Sequence, residues 1–254
     1  MKLFNAALLI IAGGLMIAAQ KPDEVLATAS GHTITMADLS PEARQAVTSL
    51  PTRIFATRSA ILDQMVNQRL LDAEAKATGS SPGKIIAAEK ARVADPSEAA
   101  IKELYDANRQ ALGDMTLAQA RKQIVIYLRR EPEQKAFTAL FDRLKTKYKY
   151  VPGKGVNSSG LVPTDIVATI GQKPITAKEF EDNARIAVYE LNADVGDLIA
   201  GEIEEAIFNA LVADEAKSLG IDASEFIARE ITNKMKDFSD GERFALETGL
   251  NKRL

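Results

Sequence analysis

The chain has 254 residues, 46% of them hydrophobic and only 6% aromatic, with no Trp, no Cys, a single His and a formal net charge of −3. Without Cys there is no disulfide framework, no thiol nucleophile and no thiolate zinc site. The lone His32 rules out a His-rich metal centre, and no G-x-S-x-G, P-loop or G-x-G-x-x-G motif occurs.

The remaining composition is equally directive. Positive and negative charges are mixed along the chain, without the basic stripe of a nucleic-acid binder. Sparse aromatics and abundant Ala, Glu, Lys and Leu favour helix over sheet.

Residues 1–20 read as a secretory signal. Lys2 is the positive start, residues 3–19 are apolar apart from Asn5, and the small Ala18 and Ala19 precede a sharply polar Lys21-Pro22-Asp23-Glu24. No stop-transfer charge cluster follows, which favours cleavage over an uncleaved membrane anchor. The expected location is therefore extracytoplasmic.

An internal repeat organises the rest. Residues 25–39 (VLATASGHTITMADL) match residues 166–180 (IVATIGQKPITAKEF) at a spacing of 141, with Ala27, Thr28, Ile34 and Thr35 identical in type to Ala168, Thr169, Ile175 and Thr176. The same spacing aligns LLDAEAKATG (70–79) with LVADEAKSLG (211–220), and one residue more aligns Asp95-x-Ser97-Glu98 with Asp237-x-Ser239-Asp240. Two copies of one module follow from this.

In each copy a short hairpin comes first, turning at Ser30-Gly31 and at Gly171-Gln172. Thr35 three residues before Asp38, and Thr176 three before Glu179, have capping-box spacing and predict helix starts. His32 is expected as an exposed hairpin residue rather than a catalytic one. A second helix is expected from about Arg53 to Ala77, with its counterpart carrying Leu198 to Val212 in copy 2. Gly79 and Gly220 are natural left-handed residues to end these helices. Ser81-Pro82, Asp95-Pro96-x-Glu98 and Asp222-x-x-Glu225 begin further helices.

Thr116-x-x-Gln119 caps a long helix reaching about Lys147, roughly 46 Å if unbroken, with Pro132 expected to kink or divide it. The alternating KYKYVP that follows suits an edge strand, expected to return and pair with the N-terminal hairpin. Residues 151–165 (VPGKGVNSSGLVPTD) have linker composition. The domain reading is thus a signal at 1–20, copy 1 at 21–150, a linker at 151–165 and copy 2 at 166–254. Copy 2 would stop before the long helix and closing strand, so the chain is expected to be a truncated piece of something longer, or copy 2 to have lost its closure. The fold class is mainly α with short β-hairpins.

The hairpin–IT–helix opening, the long helix ending in EAK-x-x-G and the later SEAAIKELYDANR (97–109) together resemble the N-terminal chaperone domain of the SurA and PrsA type. The resemblance covers residues 25–147 and, more weakly, 166–248. It implies a periplasmic protein that binds unfolded or nascent envelope proteins through an apolar groove, with no nucleic acid and no cofactor. The parvulin isomerase domain usual in that family has no room after residue 109, and its paired histidines are missing, so isomerase activity is not carried over and no catalytic or metal-binding residue is expected. Ile54, Phe55, Met65, Phe137 and Phe141 are the candidate groove residues, Met65 because a flexible thioether suits varied partners. For each, burial in the core is the competing reading. The other functional readings are a substrate-recruiting arm of an envelope thiol oxidoreductase whose thioredoxin-like domain lies past Leu254, a structural adaptor, and a hydrolase using acid pairs such as Glu204-Glu205. The last is weakest, because adjacent acids on a helix diverge by about 100°.

Export of the full chain in a bacterial host, followed by intact-mass measurement, should return a protein lacking about its first 20 residues. A full-length mass in the membrane fraction would instead establish an anchor.

Overall fold

The computed structural model describes residues 23–230 and 232–234, and among them the chain is mainly helical, with seven α-helices and two small antiparallel sheets. Strands β1 (Val25–Ala29) and β2 (His32–Thr35) form the first hairpin. Its turn residues Ser30 and Gly31 both have positive φ, 49° and 84°, as a tight two-residue turn of the primed type requires. The signal-sequence and Asp237–Asp240 readings lie outside the described residues.

Thr35 and Asp38 do meet, since Asp38 Oδ2 accepts from the Thr35 N–H at 2.8 Å and hydroxyl at 2.7 Å. They enclose only a single 3-10 turn, Met36–Asp38, and the long helix α1 (Pro41–Thr78) starts at a second cap, Ser40, whose Oγ accepts from the Ala43 N–H at 3.1 Å. The expected separate helix from Arg53 is part of α1, which continues through Pro51. Pro51 is exposed, where water can meet the carbonyl that a helical proline leaves unbonded. After α1 come α2 (Pro82–Ala91), α3 (Glu98–Ala107), the one-turn α4 (Arg109–Leu112) and α5 (Leu117–Lys147). The predicted cap holds at α5: Gln119 donates its N–H to Thr116 Oγ1 at 3.4 Å and accepts the Thr116 N–H at 2.8 Å. Pro132 lies inside α5 without dividing it.

Strand β3 (Tyr150–Pro152) leads to the second hairpin, β4 (Ile166–Ile170) and β5 (Lys173–Thr176), then to α6 (Ala177–Leu219) and α7 (Ala223–Glu230). The Leu198–Val212 stretch is the interior of α6, which starts directly on Thr176, whose Oγ1 accepts from the Glu179 N–H at 3.2 Å. Both long helices end as predicted. Gly79 and Gly220 have φ of 64° and 71°, and the residues after them donate to Ala75 O at 2.9 Å and Ala216 O at 3.0 Å.

One expectation is overturned. β3 does not return to the first hairpin; it pairs antiparallel with β4, Tyr150 opposite Ile170, Val151 opposite Thr169 and Pro152 opposite Ala168. A strand joined to its neighbour by a short connection pairs with that neighbour at lower entropic cost than with one over a hundred residues upstream.

The chain divides into two compact units, and each draws on both halves of the sequence. One comprises the residues up to Pro51 together with those from Leu191 onward. It buries Ala27, Ile34, Met36 and Leu39 from the hairpin side and Val195, Ile199, Val212 and Ala216 from α6. Within it, Ser40 N–H donates to Glu202 Oε2 at 2.6 Å and His32 Nε2 lies 2.7 Å from Asp214 Oδ2. The bond to Asp214 leaves His32 a half-exposed structural contact of the hairpin.

The other unit spans Thr52–Glu190. Val66 and Leu70 of α1, Leu140 and Leu144 of α5, Ile175 of β5 and Phe180 of α6 form its main core. A satellite cluster joins Ile101 and Tyr105 of α3 to Ala120 and Ile124 of α5. Arg58 fastens the core edge: it donates to both Glu181 oxygens at 3.0 and 2.6 Å and to the Val156 carbonyl, with its guanidinium 4.9 Å from the Phe180 ring centre. Residues 151–165 are held here as well, through buried Val156 and the 2.7 Å Lys154–Asp165 ion pair.

Gly153 marks where β3 leaves the sheet. A Cβ there would strike the Ile166 carbonyl and stand 2.8 Å from the Val167 carbonyl carbon, both backbone atoms that cannot swing aside. Gly153→Ala should therefore lower stability by about 2 kcal/mol or more in urea unfolding, with an unchanged helical spectrum below the transition; an effect under about 0.5 kcal/mol would show that this close approach is not maintained.

Candidate functional site

Among the described residues no three or more His, Asp or Glu side chains converge as a metal site. Glu89, buried, pairs with Arg92 at 2.9 Å and Arg143 at 3.1 Å. The Arg143 contact ties α2 to α5, and the Arg92 contact closes the end of α2.

Exposed large apolar side chains are spread over several elements, and two neighbouring clefts lie along one stretch of α1 in the Thr52–Glu190 unit. A cleft of about 370 Å³ is lined by Asp63 and Asn67 of α1, Ile86 of α2, and Phe137, Phe141 and Lys145 of α5. A neighbouring cleft of about 430 Å³ shares Asp63 and is lined by Phe55, Ser59 and Leu62 of α1 with residues 155–158 of the following loop. Helical spacing explains the sharing: residues 55, 59, 62, 63 and 67 recur at three- and four-residue steps and lie along one side of α1.

The candidate groove residues separate across this surface. Phe137 and Phe141 come together in the first cleft, half-buried, and Phe141 also packs against the main core. Phe55 is 59% exposed and lines the second cleft. Met65 is half-buried against the core, and Ile54 is half-buried outside both clefts.

Asn67 is the residue that sequence reasoning passed over. Its Oδ1 is buried and has no hydrogen-bond partner among the described residues. An unmet acceptor of this kind costs about 1–3 kcal/mol, so it needs a reason to persist. The signal was present in the sequence: Asn67 interrupts the apolar run Met65, Val66, Leu70 at a core-facing step of the helix.

Charge frames the clefts. Asp63 stands near Tyr150, whose phenol pKa is raised first by burial and then by that carboxylate, and Lys145 Nζ lies 5.6 Å from the Tyr150 ring centre. Farther along α1, Glu74 Oε2 accepts from Lys147 Nζ at 2.5 Å and from the Tyr148 hydroxyl at 2.7 Å. The lysine and then the tyrosine hydrogen bond hold the Glu74 carboxyl below its ordinary value of 4.5. This network ties α1 to the end of α5 beside β3.

A carboxylate with a lowered folded pKa contributes stability that is full above the unfolded value and is lost as pH falls through the folded value. Glu74→Gln should thus cost up to about 1 kcal/mol at pH 7 and flatten the loss of stability between about pH 5 and 3. Urea unfolding across that range checks it, and parallel acid limbs for the two proteins would contradict it. Comparisons with protein-family models, with curated proteins and with solved structures find no match to this chain.

Proposed function

We propose that the chain is an exported, chaperone-like protein of the periplasm that binds unfolded or extended client polypeptides through the two clefts on α1, without isomerase or other catalytic activity. The observation that carries this reading is the first cleft itself. Phe137, Phe141 and Ile86 supply apolar contact, with Asp63 and Lys145 at its edge. A surface with few directional bonds takes many sequences and releases them, as a chaperone must.

The finer fold reading belongs here too. Two SurA-N-like modules, copies of one another, account for the matched turns, the helix ends at Gly79 and Gly220, and the identical hairpin registers. In both hairpins the pairing shifts at the same place, between Val25 and Ala27 in the first and between Ile166 and Ala168 in the second. On this reading the copies have exchanged parts. The first hairpin shares a unit with the later half of α6, and the second shares one with the later half of α1.

The test is suppression of aggregation of an unfolded outer-membrane protein by substoichiometric to equimolar amounts of the purified chain. The parent should slow aggregation, and the double variant Phe137→Ser, Phe141→Ser should lose most of that effect. Asn67→Leu should be neutral or more stable by about 1 kcal/mol in urea unfolding, because it removes an unpaired buried acceptor. A folded parent with no suppression would leave the chain an adaptor.

A further inference from the structure

We infer that the outer edge of β1, in the unit built from the residues up to Pro51 and those from Leu191, takes up an extended client segment as an added antiparallel strand. The inference rests on the chaperone-like reading above and names a second contact that it uses. Its basis is the difference between two matching hairpins. In the second, the outer edge of β4 is filled by β3: Val151 pairs with Thr169, Gly171 N–H donates to Tyr148 O at 2.7 Å, and Gly153 N–H donates to Val167 O at 3.1 Å. In the first, the positions 141 residues earlier are Thr28, Ser30 and Leu26, and among the described residues no strand lies beside them.

The geometry of β1 leaves real donors and acceptors on that side. Ala29 and His32 flank a two-residue turn and so form the closely bonded pair of the hairpin. The N–H and C=O of the next residue, Thr28, therefore point away from β2. Thr28 is exposed, whereas its counterpart Thr169, under β3, is half-buried.

Edge protection differs in the same sense. β5, an edge strand of its sheet, carries Lys173 and Pro174, the residues that discourage strand addition. β1 reads Val-Leu-Ala-Thr-Ala, with no charge and no proline. An uncharged edge whose Thr28 N–H and C=O point away from β2 is a template for another strand.

β3 also indicates what that strand looks like. Tyr150, opposite Ile170, packs against the core while Val151 points outward, 56% exposed. The preferred client segment alternates an aromatic or large apolar residue with one whose side chain faces water.

The probe is a fluorescent peptide with the chain's own residues 146–154 (TKYKYVPGK), titrated against the full chain by anisotropy. Saturable binding is expected. It should fall at least tenfold with Thr28→Pro, which deletes the outward N–H without touching the β1–β2 bonds, and on N-methylation of the peptide at the valine. Thr28→Val should bind as the parent does. No binding by the parent, or equal binding by folded Thr28→Pro, would overturn the inference, as would a parent dimer that Thr28→Pro dissolves, since the edge would then belong to a second copy. If Thr28→Pro still suppresses aggregation fully while the Phe137, Phe141 variant does not, the strand-addition inference fails and the cleft reading stands; if the parent suppresses nothing, that reading fails as well.

Discussion

The pairing of β3 with β4 is the contact on which the Thr52–Glu190 unit depends. It fixes three consecutive residues of each strand in register, and in doing so seats the second hairpin against α1 and α5. Ile175 and Phe180, both fully buried, reach the core only because the hairpin is held there. Each contributes roughly 1.5–3 kcal/mol of apolar burial. Arg58 serves the same end from the other side, bonding Glu181 and the Val156 carbonyl, so that the loop between β3 and β4 is closed onto α1.

The surface this leaves is one of modest clefts with an apolar floor and a charged rim. Phe55, Phe137 and Phe141 offer contact area, while Asp63 and Lys145 of opposite sign stand at the edges. Charges at a rim contribute little to affinity and more to the approach and release of partners. The fixed ion pairs around Glu74 and Glu89 are set apart from this surface and hold helices together.

Much of the local structure was written in the sequence. Gly79 and Gly220 end their helices because a left-handed residue must follow the last turn, and Thr116 with Gln119 opens α5 because those spacings satisfy free N–H groups. What the sequence did not display was partnership. KYKYVP announces a strand, but alternation says nothing about which edge it joins, and the nearer hairpin won. A separate helix was expected from about Arg53, yet α1 starts at Pro41 and runs on through Pro51. Phe137 and Phe141 were found from spacing, whereas Asn67 gained its meaning only once α2 and α5 had closed over its neighbours.

The division of the chain into units that each use both halves has a consequence for the order in which the molecule is made. His32 and Asp214 are 182 residues apart, and Ser40 and Glu202 are 162 apart. Synthesis proceeds from the N-terminus, so the first hairpin emerges long before the helix it packs against, and its apolar side must wait. The middle of the chain, Thr52–Glu190, is complete earlier and can condense around its own core while the first strands are still unmatched. High separation between partners slows the last step, because loop closure must be paid before the contact rewards it. Assembly of this protein is therefore inside-out along the chain: the centre closes first, and the beginning is completed by the end.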